Sequence, residues 1–210
     1  VFSASRFGMP LSIKNGVVTG HGIDTSLFTP EGPETRAAHR LLTVGRITKV
    51  KRFSHVIDIL SRLARDYRLA IVGQAVTAED DSTLAELCMQ IRDAGLLEAV
   101  SFEHRRIDEM PAINRQSQMF IHAASTAGVD KAVLEAMACG CIPVSSSPAF
   151  EGILPPQLCV AEDKLEAAVN NALALSADAQ QVLRQTLVQE VRDHHSLSSL
   201  ITRLVSDMSA

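Results

Sequence analysis

Four basic residues, Arg46, Lys49, Lys51 and Arg52, fall within seven positions directly after Leu41-Leu42-Thr43-Val44 and a glycine. The chain carries 20 Lys+Arg against 24 Asp+Glu, a net charge of −4, so this clustering is local rather than general. Cations held at the end of a strand suit phosphate oxygens, Arg through a planar fork and Lys as a point charge. A solvated loop whose cations pair with surface carboxylates fits the same spacing equally well. A second stretch, Ala123-Ala124-Ser125-Thr126-Ala127-Gly128-Val129, is built of small residues and runs into a helical pattern opened by Asp130. Small side chains let a ligand approach the backbone, and a helix amino terminus offers unpaired N–H groups to an anion such as a diphosphate. Asp130 also has the ordinary reading of an N-cap. Farther along, Glu135 stands between Leu134 and Ala136-Met137-Ala138. A carboxylate in so apolar a segment needs a basic partner, solvent, or the hydroxyls of a ligand.

Other motifs carry less. Gly20-His21-Gly22-Ile23-Asp24-Thr25 begins like a dinucleotide fingerprint, but Thr25 stands where the third glycine belongs and no helix opens there. No Walker A sequence is present. Cys88, Cys139, Cys141 and Cys159 form no paired zinc-ligand spacing with the seven histidines, so no metal is expected. Cys139-Gly140-Cys141 lies in an apolar stretch and reads as buried thiols, and a reducing, cytoplasmic compartment follows. His194-His195 reads as a helix terminus or turn, and Arg105-Arg106 as a solvated pair.

The elements that must position these groups follow from periodicity. Short apolar runs at Val17 to Gly20, Arg40 to Val44, Leu69 to Val72, Val100 to Phe102, Met119 to His122 and Ile142 to Ser145 read as strands. Between them Phe53, Val56, Ile57, Leu60, Leu63, Ala64 and Tyr67 recur at helical spacing, as do Leu84, Leu87, Cys88 and Ile91. Asp108 to Gln116 and Asp130 to Ala138 are also helical in pattern, and three more helical patterns follow Asp163. Alternating strands and helices predict a Rossmann-like, doubly wound parallel α/β sheet with carboxyl-terminal helices. Ligands of such sheets bind outside the carboxyl ends of the strands, where both unusual loops lie. The 210 residues, 46% hydrophobic and 21% charged, are expected to form one domain over 1–210, with Thr29 to Glu34 too short a linker to divide it. The acidic balance argues against nucleic acid as a partner. No run of eighteen apolar residues occurs, and no basic amphipathic helix supports membrane contact. The amino end, Val1-Phe2-Ser3-Ala4-Ser5-Arg6, reads as that of an excised piece of a longer chain.

Gly20-His21-Gly22-Ile23-Asp24, Val44-Gly45-Arg46-Ile47, and Leu134-Glu135-Ala136-Met137-Ala138-Cys139-Gly140 with Ile142-Pro143-Val144 together resemble the carboxyl-terminal domain of glycosyltransferase family 4. Order and spacing agree along nearly the whole chain. The resemblance implies the second, donor-binding half of a two-domain GT-B fold, with the amino-terminal acceptor domain absent from this chain. It implies a retaining, hexosyltransferase-like enzyme of glycan biosynthesis that moves a sugar from a nucleoside diphosphate sugar to an unknown acceptor, with no obligatory cofactor. The full-length protein is then expected in the cytoplasm, at the inner membrane face where many relatives work. By the same resemblance Arg46 and Lys51 match the pair that grips the donor diphosphate, and Glu135 the glutamate that binds the donor ribose. Gly128, Val129, Asp130, Lys131 and Ala132 match the loop and helix start facing the donor sugar and its phosphates. The family's second glutamate, eight residues before Glu135, is here Ala127; Lys131 stands among residues that are usually small or apolar, and His104 replaces a common glycine. Two expectations follow: Asp130 substitutes for the lost carboxylate against the donor sugar, or the domain is a non-catalytic nucleotide-binding or scaffold module.

Overall fold

The computed structural model describes residues 2–3, 17–124 and 128–209. Two short strands, β1 (Phe2–Ser3) and β2 (Val17–Val18), pair in parallel as a separate two-stranded sheet. The main sheet contains β3 (Arg40–Val44), β4 (Arg68–Val72), β5 (Val100–Glu103), β6 (Met119–His122) and β7 (Ile142–Ser145). All are parallel, in the order β5-β4-β3-β6-β7. Leu41, Leu42, Phe120, Ile121 and Val144 are fully buried, as expected of strands covered on both faces. The chain winds outward from β3 through β4 to β5, then crosses back to β6 and β7. The order therefore reverses between β3 and β6, which opens a crevice at their carboxyl ends.

The helices are α1 (Phe53–Arg62), α2 (Ala78–Asp93), α3 (Met110–Gln116), α4 (Lys131–Ala138), α5 (Leu165–Leu173), α6 (Ala177–Glu190) and α7 (Leu197–Ser209). α1 buries Phe53, Val56, Ile57, Ile59 and Leu60 against the sheet. It is shorter than its apolar spacing predicts: Leu63 is already extended (φ −77°, ψ 169°), and Tyr67 lies in the turn before β4. Leu63 and Tyr67 still pack against the core, so apolar spacing continued past the last helical hydrogen bond. α2 starts with a reciprocal cap in which Thr77 and Asp80 satisfy each other's backbone N–H groups. His194-His195 lies in a π-helical turn, Val191–His195, between α6 and α7. There Ile23 N–H donates to the His195 carbonyl at 2.7 Å and Leu197 N–H to the Ile23 carbonyl at 2.8 Å, tying the Gly20–Asp24 loop to the carboxyl-terminal helices. The Thr29–Glu34 stretch is held to the body by Arg115, which contacts Glu34 at 2.6 Å and the Thr29 carbonyl at 3.2 Å.

Two glycines set the end of the central strands. Gly45 has φ +150°, and its N–H donates to the Val72 carbonyl at 2.9 Å. A Cβ on Gly73 would overlap the Gly45 carbonyl oxygen, so the two backbones approach as only glycine allows. The basic loop leaves the sheet from this contact.

Candidate functional site

Two loops face each other across the crevice. From β3 comes Gly45 to Arg52, with Lys49 and Lys51 on a 3-10 turn, Arg46 ahead of it and Arg52 capping its end before α1. From β6 comes the small-residue stretch that ends at Asp130, the N-cap of α4. Ser125, Thr126 and Ala127 lie outside the described residues, so the position expected to lack a glutamate carries no structural account.

Lys51 and Asp130 form an ion pair that spans the crevice. Their side chains are only 20% and 16% exposed, so the contact is largely withdrawn from water. The other Asp130 oxygen accepts the Ala132 N–H at 3.2 Å, which makes Asp130 a side-chain cap of α4 as well. Behind it the buried His122 places Nε2 3.6 Å from Asp130 Oδ2, while its Nδ1 meets Ser145 Oγ at 2.8 Å. Ser145 Oγ also accepts the Ser147 N–H. Its own proton can then go to His122 Nδ1, which leaves the ring proton on Nε2, facing the carboxylate. Burial works to raise the Asp130 pKa, but His122 and Lys51 outweigh it and hold the group well below the usual carboxylate range.

Arg46 is engaged elsewhere. More than half exposed, it lies with Nε 3.5 Å from Asp80 on α2. Burial would raise the Asp80 pKa, yet hydrogen bonds from Val76 and Thr77 N–H, with the charge of Arg46, hold it down. Lys49 lies 3.8 Å from Glu86, and Arg52 pairs with Glu162. All four cations of the loop are thus matched by carboxylates, two of them in exposed surface pairs.

Glu135 follows one and a half turns into α4 and is half-buried. Among the described residues none offers its carboxylate a hydrogen bond or ion pair, and burial together with the nearby negative charge of Asp130 raises its pKa. Gly128 and Lys131 are exposed, Val129 is buried, and Ala132 is half-buried. Sequence reasoning placed no weight on His21, His122 or Asp80. His21 Nε2 donates to the Val129 carbonyl at 2.8 Å and so fixes the approach to α4 from the Gly20–Asp24 loop. Burial lowers its pKa, only partly offset by that carbonyl. The one available signal for His21 was its place between two glycines in a loop already singled out.

The remaining clusters are structural. Burial pushes the Cys139 and Cys141 thiols up to about 12, out of the range of reactive thiolates. Arg105 and Arg106 pair with Glu103, Glu109 and Asp108 at the surface. Among the described residues, no three His, Cys, Asp or Glu side chains are grouped to hold a metal ion, and no helix is long and apolar enough to cross a membrane.

The five-stranded parallel sheet with helices on both faces is the α/β, Rossmann-like fold seen in GT-B glycosyltransferase structures. The family model described as "Glycosyl transferases group 1" matches residues 38–185, and the chain belongs to that family. It is similar to a Xanthomonas oryzae pv. oryzae protein described as GDP-mannose:cellobiosyl-diphosphopolyprenol alpha-mannosyltransferase. The two are 28% identical over 200 residues, 90% of this chain and 51% of the relative. A Xanthomonas campestris protein of the same description is 28% identical over 204 residues, 92% of this chain and 52% of its own length. The chain spans about half the length of these curated relatives. Among solved structures, Anabaena HepE in complex with UDP and glucose superposes with a TM-score of 0.81 at 16% identity, over 100% of this chain and 62% of that one. The carboxyl-terminal domain of the group 1 glycosyltransferase LpcC from Francisella tularensis gives 0.72 at 19% identity, over 84% of this chain and 100% of that one. At these identities the superpositions speak to fold alone.

Proposed function

We propose that residues 1–210 form the donor-binding half of a retaining glycosyltransferase that moves a sugar from a nucleoside diphosphate sugar to an acceptor held by an amino-terminal domain. The observation that carries this reading is the switch-point crevice, with a cationic loop on one wall and, on the other, a helix start followed by the unpartnered Glu135. Arg46 and Lys51 take the diphosphate, and Glu135 accepts hydrogen bonds from the ribose hydroxyls. The backbone from Gly128 to Ala132 faces the donor sugar and its phosphates. When the bond between the anomeric carbon and the diphosphate breaks, negative charge develops on the leaving oxygen. Fixed cations and N–H donors stabilise that charge as it grows. GDP-mannose is the first donor to try, because the similar Xanthomonas proteins are described as using it.

The acceptor wall of such a site would come from the other domain. Coverage of only half of the relatives supports that division, and α7 leaves Leu197, Ile201 and Met208 exposed. The 210-residue chain is therefore expected to bind donor but not to transfer sugar, because the acceptor is neither positioned nor shielded from water. We place the full-length enzyme in the cytoplasm, a reading carried by the four free cysteines. A second reading, a nucleotide-binding or scaffold module without transfer, is favoured by Ala127 in place of the family's second glutamate. Thermal unfolding with GDP, UDP, ADP and NAD, each with and without a divalent cation, tests donor binding. A ligand at 100 times its Kd adds about 2.7 kcal/mol. Selective stabilisation by one nucleoside diphosphate, lost in Arg46→Ala and Glu135→Ala, is expected; equal response to all four or to none would overturn the donor site. Full-length protein that binds the donor but transfers no sugar would decide for the scaffold module.

A further inference from the structure

We propose that Asp130 is a built-in competitor of the donor diphosphate: its carboxylate occupies the anion position between Lys51 and the start of α4, and an incoming diphosphate must displace it. The inference rests on the donor-site reading of Lys51 and Glu135 and adds to it the residue that sets affinity.

Three groups that would favour an external anion converge on this one side chain. Lys51 reaches across the crevice to Oδ2, the Ala132 N–H at the first turn of α4 is taken by Oδ1 at 3.2 Å, and His122 Nε2 stands 3.6 Å behind. His122 is 3% exposed, and among the described residues its Nε2 has no hydrogen-bond partner, so a buried donor is aimed at the carboxylate without being satisfied by it. An N-cap alone needs none of this, since a serine or asparagine caps as well and carries no charge. The pair also joins the two loops on either side of the point where strand order reverses, the place where ligands of open α/β sheets bind. Other cations of the loop are paired at its periphery, Lys49 with α2 and Arg52 with Glu162. Only the Lys51 partner comes from the opposite wall of the crevice.

A diphosphate that enters must therefore exchange one anion for another at Lys51, and it meets the displaced carboxylate as a like charge nearby. Removing that charge while keeping the cap frees Lys51 for the ligand and leaves the Ala132 N–H on a neutral oxygen, which a diphosphate displaces more readily. Asparagine and serine both retain an oxygen able to cap α4.

The test is calorimetric titration of the wild-type chain, Asp130→Asn and Asp130→Ser with GDP, UDP and the uncharged nucleosides guanosine and uridine at fixed ionic strength. Both variants are expected to bind the preferred nucleoside diphosphate about tenfold more tightly, the size of one charge-assisted hydrogen bond released to the ligand. Nucleoside affinity stays the same, and the gain disappears when Lys51→Met is added. Diphosphate affinity unchanged or weakened in folded variants overturns the role of Asp130 and leaves the donor site standing; weakening would make Asp130 a ligand contact instead. Binding of no nucleoside diphosphate by any of the three proteins at millimolar concentration would overturn both.

Discussion

Replacing Lys51 with methionine keeps the aliphatic stem and removes the ammonium, so Asp130 loses the one full positive charge paired with it among the described residues. Breaking an ion pair buried throughout costs about 3–5 kcal/mol, and breaking an exposed one about 0–1. Here the two side chains keep 20% and 16% of their surface, and Asp130 retains the Ala132 N–H with His122 behind. A loss of about 2 kcal/mol follows, or a Tm lower by roughly 4–8 °C for a chain of this size. Asp130→Asn should cost less, about 1 kcal/mol, because the amide still caps α4 and the flexible lysine can turn toward water. The double variant leaves neither charge stranded, and its loss should fall short of the summed single losses by at least about 1 kcal/mol. Urea unfolding followed by circular dichroism, compared by midpoint at constant m value, measures all three. Additivity within about 0.5 kcal/mol would refute the pair as a coupled unit joining the two loops of the crevice.

Two further perturbations probe the scaffold. His195 is buried, and desolvation, with the charge of Arg203, pushes its pKa down to about 4, against 6.5 for the free side chain. The unfolded chain therefore takes up this proton first, so stability falls as pH drops from about 6.5 to about 4, by roughly 2–3 kcal/mol in all. In His195→Gln the stability gained between pH 4 and pH 7 should shrink by that amount in urea titrations, and an unchanged pH profile would remove His195 as its source. Gly73→Ala puts a methyl group onto the Gly45 carbonyl, a backbone atom that cannot rotate away. A loss of about 3 kcal/mol is expected, at the upper end for overpacking. A thermal shift under 1 °C would show that the ends of β3 and β4 are looser than described.

Much of this architecture was legible because period and composition agreed locally. Leu41-Leu42-Thr43-Val44 and Met119-Phe120-Ile121-His122 are short apolar runs ended by turn-forming or small residues, and both are buried parallel strands. The end of α1 was not legible, since Leu63 and Tyr67 pack against the core from a turn as well as a helix would have packed them. At the crevice, residue types located Lys51, Asp130 and Glu135 on the correct loops and helix. Their mutual contacts lie 79 residues apart for the ion pair and are set by strand order, which no local pattern encodes. His122 illustrates the same limit: it ends a short apolar run that reads as a buried strand, and only the neighbouring strand supplies the Ser145 hydroxyl that orients the ring.

Asp130 also shows why two readings of one residue need not compete. A helix start attracts negative charge whether it belongs to a side chain or to a ligand, because the unpaired N–H groups and the dipole act on both alike. A basic residue facing that start strengthens the attraction for either. Capping therefore cannot be set against anion binding as if one excluded the other; the cap occupies the anion's place and is measured by how readily it yields. In this chain the cap is charged, largely withdrawn from water and held by Lys51 from the opposite wall, so it yields at a cost that any diphosphate entering the crevice must offset.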